Sequence, residues 1–216
     1  MQFSEMITNV GYLINQDLSG DTKTVTRTEV KANLNRAYQK LYNRVTSLGQ
    51  GYGLREAYTD LVSGQSRYGL PTDFKKFDRL EIGYATEDTR VLARAITRDS
   101  INDPSATYSS AVPVYAPLGN MYQIFPTPTT TVTNGLHLWY IEDVDDMVDD
   151  TDEPVLPNGY EDLCIEYAAG QAKRRQGLMD EGREMIQDFM LALETMSDEI
   201  VDRVDEGSNV IVRDIY

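Results

Sequence analysis

The sequence has little of the residue types on which many functional sites depend. Its 216 residues include one cysteine, one histidine and one tryptophan. The single cysteine, Cys164, excludes an intrachain disulfide and a cysteine-rich zinc site. No apolar run of about 18 residues is present, and residues 1–15 lack a basic region followed by a cleavage site. We therefore expect a protein without a membrane span or a signal of its own, built in a reducing compartment.

Lysine and arginine are absent from residues 99–172, which contain 13 acidic side chains. Residues 1–98 carry 14 basic and 11 acidic side chains, and residues 173–216 carry 6 basic and 11 acidic ones. The three parts contribute +3, −13 and −5 to the net charge of −15. An acidic surface repels phosphate, which disfavours a protein that grips duplex DNA. The same charge is compatible with a surface past which DNA slides.

Helical periodicity marks the amino-terminal part of the chain. Apolar residues recur at helical spacing in residues 3–15. A second helix is predicted to begin at a capping box formed by Thr26 and Glu29, in which each side chain binds the other residue's backbone N–H. Its apolar stripe comprises Val30, Leu34, Ala37, Tyr38, Leu41, Tyr42 and Val45.

The carboxyl-terminal part predicts two more helices. Asn158 and Glu161 form another capping-box pattern, and a longer helix is expected after Gly177 with Asp180 as its candidate cap. The first apolar stripe comprises Tyr160, Leu163, Cys164, Tyr167 and Ala168. The second comprises Met185, Ile186, Phe189, Met190, Leu193, Met196, Ile200 and Val204.

Between these helices the pattern indicates strands. Short aromatic and β-branched segments, bounded by glycine, proline, asparagine or threonine, lie at residues 57–62, 77–84, 121–125 and 136–141. Residues 90–101 fit a helical turn as well as a strand. Five prolines between residues 104 and 128 favour loop-linked antiparallel strands over βαβ units.

The predicted fold class is therefore α+β. About four helices from both chain ends form a helical bundle, a central antiparallel β-rich insertion interrupts it, and an extended tail ends the chain. The predicted parts are the amino-terminal helices at 1–53, the insertion with its acidic loop at 54–157, the carboxyl-terminal helices at 158–206 and the tail at 207–216.

Residues 142–153, here called the acidic segment, hold eight carboxylates in twelve residues. A calcium loop of the EF-hand type requires a glycine at its sixth position, where a count from Asp143 gives Val148. Crowded carboxylates also raise one another's pKa, which leaves a catalytic pair open. Composition alone favours a solvated acidic loop. Its candidate functional residues are Asp145, Asp146, Asp149, Asp150 and Asp152.

No other pattern predicts catalysis or a cofactor. His137 lies in a predicted strand without a nucleophile elbow to partner it, so we expect a core or surface histidine. Cys164 lies on an apolar stripe and is expected to be a buried small hydrophobe. Phosphate-binding glycine motifs are absent. We expect no catalytic residue, no metal site and no cofactor.

Four short segments together resemble one protein family. Residues 68–74 (YGLPTDF) and 119–128 (GNMYQIFPTP) are similar to two segments of the head–tail adaptor proteins of tailed bacteriophages. Residues 138–140 (LWY) and 152–160 (DEPVLPNGY) resemble the aromatic strand and the Leu-Pro helix start that close the insertion in that family. The order and spacing of these segments carry the resemblance, which spans about residues 1–200.

The resemblance implies a structural protein and not an enzyme. Such adaptors form a ring of about twelve subunits beneath the portal, extend the DNA channel and dock a stopper or tail protein. DNA would pass without sequence-specific binding, and no membrane would be involved. The implied location is the neck of the virion, after assembly in the host cytoplasm. The alternatives are a stopper or tail-completion protein of the neck, and a metal-dependent hydrolase that uses the acidic segment.

The tail is the candidate partner-binding segment. Val210, Val212 and Asp214 alternate along it with Ile211, Arg213 and Ile215, and little chain remains for it to fold against. We expect it to add a strand or an apolar plug to a neighbouring or portal subunit, through Val210, Ile211, Val212, Arg213, Ile215 and Tyr216. The alternative is a frayed chain end.

Overall fold

The computed structural model describes residues 1–18, 24–48, 51–97, 100, 107–157 and 159–208, with residues 197–208 described as backbone only. The chain divides into two units. Met1–Tyr52 and the chain from Val144 onward form the helical unit, and Gly53–Asp143 form the sheet unit. Residues 144–157, which the sequence analysis groups with the insertion, lie in the helical unit. The predicted α+β fold class is confirmed.

The helical unit contains four helices among the described residues: α1 (Phe3–Leu13), α2 (Arg27–Ser47), α3 (Glu161–Arg175) and α4 (Met179–Ser208). The predicted capping box at the start of α2 is confirmed. The Glu29 N–H donates to the Thr26 hydroxyl at 3.1 Å, and the Thr26 N–H donates to the Glu29 carboxylate at 3.0 Å. These two bonds satisfy backbone donors that a helix start otherwise leaves unpaired.

The predicted apolar stripes form the core of this unit. All seven stripe residues of α2 are buried, as are Cys164, Tyr167 and Ala168 of α3. Phe189 and Met196 anchor α4. Met190, which the spacing predicts to lie in the core, is 46% exposed, because the helix turns it away from the stripe that Phe189 buries.

Both predicted starts of the carboxyl-terminal helices were wrong in detail. The N-cap of α3 is Tyr160, and Asn158 lies outside the described residues. The carboxylate of Glu161 accepts a hydrogen bond from the N–H of Gly159 at 2.9 Å, and this contact satisfies a backbone donor just before α3. α4 begins at Met179, which places Asp180 inside the first turn. An acidic residue in that turn stabilises the positive end of the helix dipole.

The sheet unit contains seven strands in its described part, ordered β1-β7-β3-β4-β5-β6-β2. They are β1 (Leu54–Leu61), β2 (Arg67–Gly69), β3 (Phe74–Ile82), β4 (Val91–Ala95), β5 (Val114–Leu118), β6 (Met121–Phe125) and β7 (Val132–Glu142). The prediction of antiparallel strands was correct for all pairs but one, since β4 and β5 run parallel. The ambiguous residues 90–101 include β4, and β2 and β5 were not predicted.

One face of this sheet carries its apolar core. Leu80, Leu136 and Leu138 alternate with polar residues along β3 and β7, and they pack against Tyr122 and Ile124 of β6. The opposite face of β1, β7 and β3 carries charged and aromatic side chains. None of the described helices of the chain combines the length and hydropathy that a membrane span needs.

Candidate interaction surfaces

The acidic segment is held by a row of polar side chains on α2. Arg27, Lys31, Asn35 and Gln39 follow one another at four-residue spacing, which places them on one face of the helix. Gln39 donates to the carbonyl of Val144 at 2.8 Å, and Lys31 donates to the carbonyl of Val148 at 3.1 Å. The segment therefore runs antiparallel along this face of α2.

Asn35 makes two hydrogen bonds to the backbone of the acidic segment. Its amide donates to the Met147 carbonyl at 2.9 Å, and its oxygen accepts the Met147 N–H at 3.0 Å. The Met147 side chain is only 5% exposed and belongs to the helical core. One side chain thus satisfies both backbone groups of a residue that is buried in the fold.

The amino end of α1 closes the other side of the acidic segment. The N–H groups of Phe3 and Ser4 donate to the carbonyls of Asp152 and Asp150, at 2.8 and 3.0 Å. The first N–H groups of a helix have no partner within the helix, and here the acidic segment supplies their acceptors. The segment is therefore fixed between two helices.

Two of the five candidate aspartates have structural roles. Asp150 accepts two hydrogen bonds from Arg27, at 2.8 and 2.9 Å, and lies 3.1 Å from Lys31. The hydrogen bonds from Lys31 and Arg27 lower the pKa of Asp150. This pairing therefore contributes stability above the ordinary pKa of an aspartate and loses it as the pH falls through the lowered value. Asp152 accepts the N–H groups of Val148 and Asp149, at 2.7 and 2.8 Å.

The other three candidates project into solvent. Asp145, Asp146 and Asp149 are exposed. Asp146 makes one long contact of 3.4 Å with Gln39. Within the described part of the chain, the carboxylates of Asp145 and Asp149 have no hydrogen-bond or ion-pair partner. Among the same residues, no three histidine, cysteine, aspartate or glutamate side chains are grouped so that they could hold a metal ion. The structure thus presents a fixed row of uncompensated negative charge.

His137 lies on the polar face of the sheet unit. Its ring is 5% exposed, and its two nitrogens lie 3.1 Å from Glu56 and 3.4 Å from Glu81. Tyr58 stacks on the ring with a centroid distance of 4.2 Å. The ring of Trp139 is tilted against that of His137, with a centroid distance of 4.7 Å. The expectation of a strand histidine is correct, and the ring joins β1, β7 and β3 through its neighbours.

A protein-family model described as SU10 adaptor protein matches residues 1–213. The chain belongs to this family. The search of curated proteins gave no match. The family match confirms the resemblance to phage head–tail adaptors and makes the protein a phage adaptor, a structural component of a virion.

Residues 209–216 of the adaptor's tail lie outside the described residues. Val210, Ile211, Val212, Arg213, Ile215 and Tyr216 all belong to this part of the chain. Their role in partner binding stays a prediction. The backbone of α4 continues to Ser208, so the helix includes residues 207 and 208 that the sequence analysis assigned to the tail.

Sequence reasoning missed the residues of the adaptor that hold the acidic segment. The signal was present, because Arg27, Lys31, Asn35 and Gln39 repeat at the spacing of a helical face. A stripe of long polar side chains beside an apolar stripe usually indicates a solvated face. Nothing local to α2 shows that a segment more than one hundred residues away covers it.

Cys164 is an inert core residue of the adaptor. Its side chain is fully buried within the helical core. Burial, with a smaller effect of Glu161, raises the pKa of the thiol to about 12. Because the thiolate is the reactive form, this cysteine is unreactive while the helical unit is folded.

Proposed function

We propose that this adaptor forms a closed ring of about twelve subunits beneath the portal. The ring would extend the DNA channel and dock a stopper or tail protein, and the adaptor would act by assembly and not by catalysis. The family match supports a role in the phage neck. The observation that carries the channel role is the acidic segment, which is held rigidly while three of its carboxylates stay exposed and uncompensated.

The proposed mechanism of DNA passage is electrostatic. Each duplex phosphate that approaches Asp145, Asp146 or Asp149 meets a charge of the same sign. Lysine and arginine are absent from residues 99–172, so this part of the chain offers neither of the side chains that neutralise DNA phosphates. Because the segment is fixed against α1 and α2, its carboxylates cannot fold back and lose their position.

The proposal also gives each part of the chain a role in the ring. In this proposal the amino-terminal helices (1–53) and carboxyl-terminal helices (158–206) form the ring and contact the portal. The β-rich insertion faces outward or toward the tail of the virion. The tail of the chain binds a neighbouring or portal subunit. In a closed ring each subunit uses two different faces, so one donor segment and one acceptor surface suffice.

Mass photometry of the adaptor with its cognate portal tests the proposal. The portal complex is expected to gain about one adaptor per portal subunit, whatever the state of the free adaptor. Cognate portal mixed with an unrelated acidic protein of similar mass is the control. Absence of binding would overturn the portal-adaptor role and favour a stopper or tail-completion protein.

Reversal of the exposed charges tests the electrostatic mechanism. The triple variant Asp145→Lys, Asp146→Lys, Asp149→Lys is expected to make the portal-bound ring retain double-stranded DNA at low salt. The logarithm of the affinity should fall with the logarithm of salt by about 0.9 per phosphate contacted. Retention is measured by fluorescence anisotropy of a labelled duplex, with the unmodified ring as reference.

The matched control for this variant reverses three exposed charges elsewhere. Asp78, Glu87 and Asp88 lie at exposed positions of the sheet unit, outside the helices that form the ring in this proposal, and their replacement by lysine changes the net charge by the same amount. We expect this control ring to retain DNA weakly. Equal retention by both variants would show that net charge, and not the acidic segment, governs DNA contact.

A further inference from the structure

The sheet unit has one long open edge. β1 spans eight residues and pairs only with β7 in the described part of the chain. The strand at the opposite edge, β2, has three residues. Proteins usually cover, shorten or charge a long edge, because its unpaired backbone groups can pair with another chain. β1 is long, and its charged residues Arg55, Glu56 and Asp60 restrict pairing to a strand whose charges match them.

The register shows which groups of β1 face outward. The N–H of Glu142 donates to the carbonyl of Gly53 at 2.8 Å, which fixes the alternation along the β1–β7 pair. Arg55, Ala57 and Thr59 therefore bond to β7. The backbone groups of Leu54, Glu56 and Tyr58 point away from the sheet, and they have no partner among the described residues.

The tail of this chain matches that edge in length and in charge order. Residues 209–216 read NVIVRDIY, eight residues beside the eight of β1. β1 contains adjacent opposite charges at Arg55 and Glu56, which stay partly exposed beside their partners Glu142 and His137, and the tail contains such charges at Arg213 and Asp214. On the basis of the ring proposed above, we propose that residues 209–216 of a second copy pair antiparallel with β1. In this register Arg213 lies opposite Glu56, and Asp214 lies opposite Arg55.

This register also pairs the apolar residues. Ile215 falls opposite Leu54, Val212 opposite Ala57, Ile211 opposite Tyr58 and Val210 opposite Thr59. Tyr58 is 51% exposed, and its ring is held by the stack on His137 and by Arg90 at 5.3 Å, so its exposed part is a fixed contact for Ile211. Directly opposed apolar and opposite-charge side chains are the pairs that stabilise antiparallel strands.

Other registers lose this complementarity. A shift of one residue that sets Arg213 opposite Arg55 places two like charges together. A parallel arrangement that sets Arg213 opposite Arg55 also sets Asp214 opposite Glu56, which repels at both positions. The antiparallel register with both charge pairs is therefore specified by the sequence of the two segments.

In the closed ring proposed above, a second copy donates the tail, because each subunit gives one segment and receives another. α4 has 30 residues and α3 has 15, and the two helices are joined by a tight turn at Gly177. At about 1.5 Å per residue, α4 extends roughly 20 Å past the start of α3. One donor strand and one acceptor edge per chain give the heterologous contact that a ring needs.

A disulfide between two copies tests the pairing. In the proposed register Thr59 and Val210 are a non-hydrogen-bonded pair, whose Cα atoms lie about 4.5 Å apart in antiparallel sheets, within the range that a disulfide spans. Full-length Thr59→Cys and mass-tagged Val210→Cys chains are mixed, assembled on the portal and oxidised. We expect a crosslinked heterodimer. Cys164 is buried and will not compete.

Two controls make this test specific. Thr59→Cys mixed with Val212→Cys places the thiols two residues out of register, and we expect at least about tenfold less crosslink. The double variant Thr59→Cys, Val210→Cys in one chain detects pairing within a copy. Crosslinks only within one chain, or equal yields from both mixtures, would overturn the proposal.

Proline substitution gives an independent readout. The N–H of Tyr58 points outward, so Tyr58→Pro removes an edge donor without breaking a bond to β7. Tyr58→Ala also removes the tyrosine ring but keeps the outward backbone N–H. We expect Tyr58→Pro to lower the occupancy of adaptors on the portal about tenfold more than Tyr58→Ala does. Equal effects of the two substitutions would overturn edge pairing.

The failure of this proposal is distinguishable from that of the proposed function. An unmodified adaptor that loads onto the portal without the predicted crosslink overturns the strand pairing alone. An adaptor that does not bind portal at all overturns the proposed function. In that case, the presence or absence of the crosslink in concentrated free adaptor decides the pairing separately.

Discussion

Replacing Gly182 with alanine is expected to lower the free energy of unfolding of the helical unit by about 3 kcal/mol. A Cβ atom at this position would lie 2.5 Å from the carbonyl oxygen of Gly170 and 2.5 Å from Cγ of Arg174. The first of these atoms belongs to the backbone of α3, so relief requires the two helices to separate. Separation would loosen the contacts through which α4 joins the core. Urea denaturation followed by helical circular dichroism measures the effect.

The control for Gly182 is a glycine with open space around it. A Cβ atom added at Gly69 in β2 would meet no atom within 4 Å, and Gly69 does not require a positive φ. Gly69→Ala should therefore change stability by less than about 0.5 kcal/mol. The fluorescence of Trp139, which lies in the sheet unit, reports the unfolding of that unit separately. Unchanged helical stability in Gly182→Ala would contradict the close crossing of α3 and α4.

Replacing Asn35 with alanine is expected to destabilise the helical unit by about 2 kcal/mol. The substitution leaves the N–H and the carbonyl of Met147 without their partner, in a place where the Met147 side chain is buried. The acidic segment should also open more often. Hydrogen exchange at the Met147 amide should therefore be faster, in addition to the shift of the urea midpoint.

Asn33 provides the matched control on the same helix. Its side chain accepts a single 3.3 Å hydrogen bond from Arg36, and that contact is exposed. Asn33→Ala should change the free energy of unfolding by less than about 0.5 kcal/mol. If the two asparagine variants lose equal stability, the contact between Asn35 and Met147 does not hold the acidic segment.

Local signals account for the parts of the fold that were predicted correctly. The capping box of Thr26 and Glu29 and the stripe from Val30 to Val45 involve residues three or four positions apart. Such contacts form within one helix, so spacing alone reveals them. The burial of the complete α2 stripe follows because an apolar helix face of this width must pack against something.

The strands were harder to predict because their partners are distant in sequence. β2 has three residues and pairs with β6, more than fifty residues away. β5 contains Pro117, which reads as a break in a strand. β4 pairs only with Val114 and Tyr115 of β5, so the missing N–H of Pro117 costs no bond to that neighbour. Neither the distant partner of β2 nor the tolerance of Pro117 in β5 can be read from the residues around them.

In the acidic segment, too, some features can be read from the sequence and others appear only in the folded chain. Composition reveals its charge, and the family match identifies the protein as a phage adaptor. Composition does not distinguish Asp150 and Asp152, which stabilise the fold, from Asp145, Asp146 and Asp149, which stay exposed. The difference arises because Arg27 and Lys31 bind Asp150, and because a backbone turn brings the N–H groups of Val148 and Asp149 to Asp152.

The α+β class, the helix faces, the family and the segregation of charge can all be read from the amino-acid sequence, because each depends on local spacing or on composition. The folded chain is needed to show which carboxylates are neutralised, which edge of the sheet stays open and which glycines lie at a helix crossing. Those features arise from contacts between residues far apart in the chain. The entropy of bringing such residues together is overcome by the whole core, so no single segment encodes them.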